Sequence, residues 1–227
     1  MKGNSPPVHS NQSEIHPDLE AIVRKHLRTE FRRPYRASSN EPFAQIAHLV
    51  QKKNTRIIFD SGCGTGESTL AIADAYPGAL VVGLDKSALR LGKSKHPAPA
   101  NMMLIRADLV DIWRQAADAG WRLQHHFLLH PNPWPKKHHV KRRWYAHPVF
   151  PYLLRLGGTL HLRGNWRLYL QEFAAALKIA TGENWPVQTV TECRFKTAFD
   201  GKYQSSGQEL FELNADLGLL ASDSTRA

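Results

Sequence analysis

The sequence predicts an α/β domain: a mostly parallel sheet with helices on both faces and an antiparallel closing strand. Three observations predict it. Residues 57–85, IIFDSGCGTGESTLAIADAYPGALVVGLD, read as strand, glycine loop, helix, strand and acid, a parallel βαβ unit. Short apolar runs recur at 101–106, 127–129 and 159–163, with helical patterns between them. Residues 186–195 and 208–214 then read as two strands that pair antiparallel, joined by 196–207.

The elements follow in order. Residues 1–14 are polar, carry Pro6 and Pro7, and are expected to be disordered. Residues 17–30 read as an amphipathic helix with Pro17 near its start. Arg24, Lys25, Arg28, Arg32, Arg33 and Arg36 make this region a basic arm that either contacts phosphate or is a solvated helix face and linker. The arm is placed at 1–40, the domain at 41–216 and a frayed tail at 217–227. A helix at 42–52 leads into a strand at 56–60. Gly62, Gly64 and Gly66 alternate in the loop, where they allow a sharp turn and close ligand approach. Pro77 and Gly78 stop the next helix, and the strand after it ends in Asp85. Asp85 lies 19 residues beyond Gly66, a distance that suits a carboxylate binding a ribose diol. Helices are expected at 86–95 and 109–118, with Asp108 placed to cap the second. His125 and His126 lack metal-ligand spacing and read as surface or edge histidines; no metal site is expected. Residues 144–156 read as a helix, as do those from 167 to about 179.

Composition narrows the function. The chain has 227 residues and a formal net charge of +10. Such a field attracts polyanions and makes binding salt-sensitive. No apolar run is long enough to span a membrane, and the first residues lack a signal-peptide core, so a soluble cytoplasmic protein is expected. Cys63 and Cys193 are too few for a disulfide framework.

The glycine spacing is D-x-G-x-G-x-G, the form found in class I methyltransferases that bind S-adenosylmethionine; no Gly-Lys-Ser/Thr follows, which excludes a P-loop. A second stretch, HPNPWPKKHHVKRR at 130–143, leaves the C-terminal end of a central strand, where open α/β sheets place ligands. Its three prolines predict a stiff, non-helical loop. Lys136, Lys137, Lys141, Arg142 and Arg143 crowd it, and Trp134 offers a flat apolar face. A basic, aromatic loop of this kind suits an exposed base with phosphates on either side.

This loop carries a specific resemblance. With LGGTLHLRGNWRLYL and Thr197-Ala198-Phe199-Asp200, it resembles the bacterial tRNA (guanine-N7)-methyltransferase family over residues 30–213. The resemblance implies a class I methyltransferase fold, S-adenosylmethionine as cofactor, tRNA as partner, and a monomer or homodimer. It implies cofactor contacts at Asp60, Asp85 and Asp108, beside the glycines at 62, 64 and 66. Asn132 falls on the family's catalytic aspartate. Lys136, Asn165, Thr197, Ala198, Phe199 and Asp200 fall on its substrate contacts. Asn132 and Asn165 replace aspartates, Ala198 a lysine, and Asp200 a glutamate. Two other readings stand beside it. Asn132-Pro133-Trp134 is similar to the [DNS]-P-P-[YFW] motif of exocyclic-amine methyltransferases. The lost carboxylates also suit a catalytically weakened RNA-binding protein.

Overall fold

The computed structural model describes residues 3–53, 55–94 and 97–218. Seven strands form one sheet in the order β3-β2-β1-β4-β5-β7-β6. They are β1 (Arg56–Ser61), β2 (Ala79–Asp85), β3 (Met102–Arg106), β4 (Leu123–Leu129), β5 (Thr159–Gly164), β6 (Gln188–Val190) and β7 (Leu210–Asp216). Strands β1 to β5 pair parallel, while β7 runs antiparallel to β5 and to β6. All seven residues of β2 are buried, as expected of a strand flanked on both sides and covered on both faces.

The helices are α1 (Leu19–Arg28), α2 (Asn40–Lys53), α3 (Glu67–Ala75), α4 (Ala88–Leu91), α5 (Leu109–Asp118), α6 (Phe150–Leu156), α7 (Arg167–Thr181) and α8 (Ala198–Ser205). They cover the two faces unequally. Ile57 and Phe59 point into a large core with Leu19, Ile46, Trp113, Phe150 and Phe173, drawn from α1, α2, α5, α6 and α7. Ile58, one residue out of phase, points to the opposite face and a smaller cluster with Ile72, Ala73, Phe127 and Phe195.

Several expectations are corrected. Residues 3–14, expected to be disordered, lie as a strap along the domain. The Gly3 N–H donates to the Ser205 carbonyl at 2.8 Å, Ser10 Oγ to the Pro135 carbonyl at 2.6 Å, and Gln12 Nε2 to Glu172 at 2.7 Å. The reason is Glu172 on α7, which is fully buried and needs donors. It takes them from Gln12, from the His16 N–H, from the Tyr145 hydroxyl and from the buried Arg143. The basic arm is also folded onto the domain. Buried Asp111 on α5 accepts from Arg33, from the Arg36 N–H at 3.1 Å and from Ser39 Oγ at 2.9 Å. The Arg114 guanidinium donates to the Arg33 and Phe31 carbonyls and stacks on Phe31 and Tyr35.

The loop at 130–143 is not wholly irregular, because a 3-10 helix spans Lys137–Arg142. The helix expected at 144–156 is α6 alone, preceded by a 3-10 turn, with Pro151 in its first turn. The helix expected at 86–95 is α4, four residues long; residue 95 lies outside the described residues. The expected joining segment 196–207 contains α8, opened by a capping box between Thr197 and Asp200. His126 is not at the surface. It is 1% exposed, bonded through Nε2 to Ser61 Oγ at 2.9 Å, and burial pushes its pKa down to about 3. The expected frayed tail lies, from residue 219 on, outside the described residues.

Candidate active site

The C-terminal ends of β1, β2, β4 and β5 border one cavity of two adjoining lobes, about 600 and 410 Å³. Gly62, Asp85, Arg90, Leu109, Asn132 and Trp144 line both lobes, so the glycine loop and the proline-rich loop face the same space.

On one side the backbone builds the wall. Gly62, Gly64 and Gly66 have φ of 84°, 62° and 85°, the left-handed region that side chains rarely adopt. A β-carbon on Gly62 or Gly64 would meet nothing within 4 Å, so the loop stays open above. At Gly66 it would press on Leu104 at 2.9 Å. The loop is stitched to β2: the Gly62 and Cys63 N–H groups donate to the Leu84 carbonyl, and the Gly64 N–H donates to Asp85 Oδ2 at 3.0 Å. Asp60 lies beneath the loop, 1% exposed, and does not line the cavity. Its Oδ2 accepts from Ser68 and Thr69, each at 2.7 Å, which fixes the first turn of α3. Burial raises its pKa to about 6, and the neighbouring Asp85 charge adds to this against the two hydroxyls.

Asp85 does line the cavity. Its Oδ1 accepts from the Ser87 N–H at 2.7 Å and pairs with Arg90 at 2.9 Å. Asp108 caps α5 through the Val110 N–H at 3.0 Å, and its other oxygen lies 3.4 Å from Arg36. The expected cap is therefore present, and Asp108 also lines the larger lobe.

On the other side, side chains build the wall. Asn132 Oδ1 accepts from the Trp134 N–H at 3.2 Å, an Asx turn that points the amide nitrogen elsewhere. His130 and Trp134 have φ of 52° and 46°. A left-handed residue other than glycine costs roughly 1–3 kcal/mol, so the surrounding structure must hold both in place. For Trp134 the holder is Arg143, whose Nε donates to the Trp134 carbonyl at 3.2 Å. The Trp134 ring carries the Arg142 guanidinium at 4.7 Å. Lys141 and Arg142 line the larger lobe; Lys136 and Lys137 are exposed and line neither.

Asn165, at the tip of β5, lines the smaller lobe and donates from Nδ2 to Gln208 Oε1 at 2.7 Å. Of the segment 197–200, Phe199 alone lines a lobe. Asp200 is turned inward, bonded to His130 Nε2 at 2.7 Å and Arg163 at 3.1 Å. Burial alone would raise its carboxyl, but these partners hold it well below the usual carboxylate range. Sequence reasoning missed His130, Arg90, Trp144 and Tyr203 as lining residues. Tyr203 had a usable signal. It stands four residues after Phe199, and their rings stack at 5.9 Å on one face of α8.

A family model described as "Putative methyltransferase" matches residues 54–213. The chain belongs to that family. The match covers both walls of the cavity and leaves the strap and the arm outside it. Curated relatives include the tRNA (guanine-N(7)-)-methyltransferase of Mycolicibacterium gilvum, 34% identical over 54% of this chain and 51% of that protein. The Treponema pallidum protein of the same name is 28% identical over 69% of this chain and 65% of its own length. That of Nitrosococcus oceani is 28% identical over 74% of each chain. The chain thus spans about half to two thirds of the first two relatives. Among solved structures, an antibiotic-related methyltransferase has a TM-score of 0.56 at 14% identity, covering 75% of this chain and 93% of that one. A 16S rRNA (adenine(1408)-N(1))-methyltransferase from Catenulisporales acidiphilia has a TM-score of 0.55 at 17% identity, covering 75% and 90%. These likenesses establish the class I methyltransferase fold. Among the described residues, no helix is long and apolar enough to cross a membrane.

Proposed function

We propose that this chain transfers a methyl group from S-adenosylmethionine to N7 of a guanosine in tRNA, as a cytoplasmic monomer or homodimer. One observation carries the reading: a cavity lined on one side by Gly62, Asp85 and Asp108 is lined on the other by Asn132, Asn165 and Phe199. The names of the curated relatives supply the substrate.

The residues fit the cofactor. The open loop at Gly62 and Gly64 leaves room for it. The carboxylate of Asp85 uses its lone pairs on Gly64, Ser87 and Arg90, and an ionised carboxylate has about four such positions. The Arg90 side chain is 49% exposed and can turn to water, while the Gly64 and Ser87 N–H groups keep the buried Asp85 carboxylate hydrogen-bonded. Asp85 and Asp108 would hold the cofactor, which when bound supplies an electrophilic methyl group.

Guanine N7 carries a free lone pair, so no base must first remove a proton. The chain's task is alignment, which contributes roughly 7–11 kcal/mol in well-oriented systems. Phe199 would stack against the base, and Asn132 and Asn165 would orient it by hydrogen bonds. Thr197, Ala198 and Asp200 would act from behind by fixing α8 and His130. Lys136, Lys141 and Arg142 would meet phosphates. The methylated ring is cationic, and an amide cannot supply the charge that a carboxylate would. Catalysis in this reading is slow but present.

The test is incubation with labelled S-adenosylmethionine and unmodified tRNA, followed by nucleoside mapping. Label in alkali-labile 7-methylguanosine is expected. No label in any RNA rejects the reading. Label in an alkali-stable nucleoside would point to exocyclic-amine transfer, which the engagement of Asn132 Oδ1 by the Trp134 N–H disfavours.

A further inference from the structure

We infer that Gln208 and the N-terminal strap are positioning elements of the base site: they set which end of the Asn165 amide faces the substrate. The inference rests on the functional reading above. An amide side chain presents a donor at one end and an acceptor at the other, and its partners decide which end is free. Gln208 Nε2 donates to the backbone carbonyls of Ser5 at 2.8 Å and Pro6 at 3.3 Å. Carbonyls only accept, so this end of Gln208 must be the nitrogen. Its oxygen therefore faces Asn165 and takes the Nδ2 hydrogen at 2.7 Å. Asn165 Oδ1 is left as a hydrogen-bond acceptor on a residue that lines the smaller lobe.

The same reasoning fixes the second amide of this wall. Asn132 Oδ1 is committed to the backbone N–H of Trp134, which leaves its nitrogen as a donor. The two amides then offer the base one neutral donor and one neutral acceptor. The carboxylate lining the lobe, Asp85, is paired with Arg90, and Asp200 behind it with Arg163 and His130. The Asn132 amide is set by a contact two residues away, whereas that of Asn165 is set by Gln208, 43 residues on, and through it by residues 5 and 6 of the strap.

The strap is docked closely enough to do this. The Gly3 N–H donates to the Ser205 carbonyl at 2.8 Å and the Ser5 N–H to Ser206 Oγ at 3.1 Å. A β-carbon on Gly3 would sit 2.3 Å from Ser206 Oγ and 2.8 Å from the Ser206 backbone nitrogen. A side chain there must lift the strap without touching the cavity.

The test uses the full chain and three single variants, with one double variant and Asn165→Asp as the assignment control. Gly3→Val lifts the strap, Gln208→Met removes both ends of the relay at similar volume, and Gln208→Glu keeps an acceptor for Asn165 while repelling the strap carbonyls. In the first readout, the side-chain amide signals of Asn165 are followed by NMR on [15N]asparagine-labelled protein and identified by their loss in Asn165→Asp. They should shift and exchange faster with water in Gly3→Val and in Gln208→Met, and less so in Gln208→Glu. In the second, KM for unmodified tRNA should rise about three- to tenfold in Gly3→Val and Gln208→Met, with kcat within twofold. The Gly3→Val/Gln208→Met double variant should be no worse than the more impaired single one, because both break the same chain of contacts. Unmoved Asn165 signals in Gly3→Val, or single effects that multiply in the double variant, would overturn the inference. If the wild type transfers no methyl to RNA, the functional reading fails while the NMR readout still decides the relay.

Discussion

The two walls of the cavity are built by different means. The wall at 62–66, 85 and 108 is made by backbone: three left-handed glycines, strand tips and helix N-termini, all within one continuous stretch of chain. The opposite wall draws on three separate segments, the loop at 130–143, the tip of β5 and α8, and side-chain hydrogen bonds, some of them from the strap behind it, hold them in place. The first wall is specified by local conformation and the second by long-range partners. They should therefore fail differently.

The largest expected effect falls on the second wall. Glu172→Ala leaves the Arg143 charge buried without its carboxylate, which should cost about 3–5 kcal/mol in urea unfolding. If the cost is under 1 kcal/mol, the buried network is not what holds that wall. Next comes Asp85→Ala on the first wall. Ionic hydrogen bonds contribute about 1.5–3 kcal/mol, so S-adenosylmethionine should bind about 10- to 150-fold more weakly by calorimetry. The affinity for tRNA should stay within twofold. A comparable loss of both would mean that the walls do not divide the ligands.

The third prediction uses pH, because two buried groups on neighbouring strands, Asp60 on β1 and His126 on β4, titrate in opposite senses. His126 is held neutral, its pKa lowered to about 3, so its contribution to stability is full above pH 6.5 and is lost as the pH falls. Asp60 has a raised pKa of about 6, so the folded form takes up a proton first and gains stability as the pH falls through 6 towards 3.8. In the wild type the two oppose each other. His126→Asn should therefore gain about 2 kcal/mol relative to wild type between pH 6.5 and 5, at about 1.4 kcal/mol per pH unit. Parallel pH profiles for the two proteins would refute the assignment. The smallest effect is Asn132→Asp. Exchanging a neutral contact for an ionic one is worth about 0.5–2 kcal/mol, or roughly 2- to 30-fold in single-turnover rate. The affinity for S-adenosylmethionine should not change.

The same division decides what the sequence made legible. The glycine loop, Asp85 and Asp108 were readable because a strand, a turn and a helix start each carry a local pattern. Asn132 and Phe199 could be placed in the cavity through the motif resemblance. The roles of Asp60 and Asp200 were not readable. Both oxygens of each look available in the sequence, and only the fold supplies Ser68 and Thr69 for one and His130 and Arg163 for the other. The strap reads as disorder in the sequence because polarity in a terminal segment resembles disorder, and only the fold brings a buried Glu172 that needs its hydrogens. Helix α8 was hidden by Gly201, a poor helix former inside eight residues, and it forms because its capping box and Asp200 anchor the first turn.

The ion pairs also bear on how tightly a polyanion can be held. Of the arginines and lysines that make the arm and the loop look uniformly cationic, Arg24, Arg32, Arg33, Arg36 and Arg143 are each compensated by an acid of the protein itself. A compensated guanidinium displaces few counterions from a nucleic acid. A logarithmic plot of RNA affinity against salt should then fall with the slope of about six phosphate contacts, near −4 at roughly 0.7 per contact, rather than the near −8 that a count of eleven basic side chains would suggest.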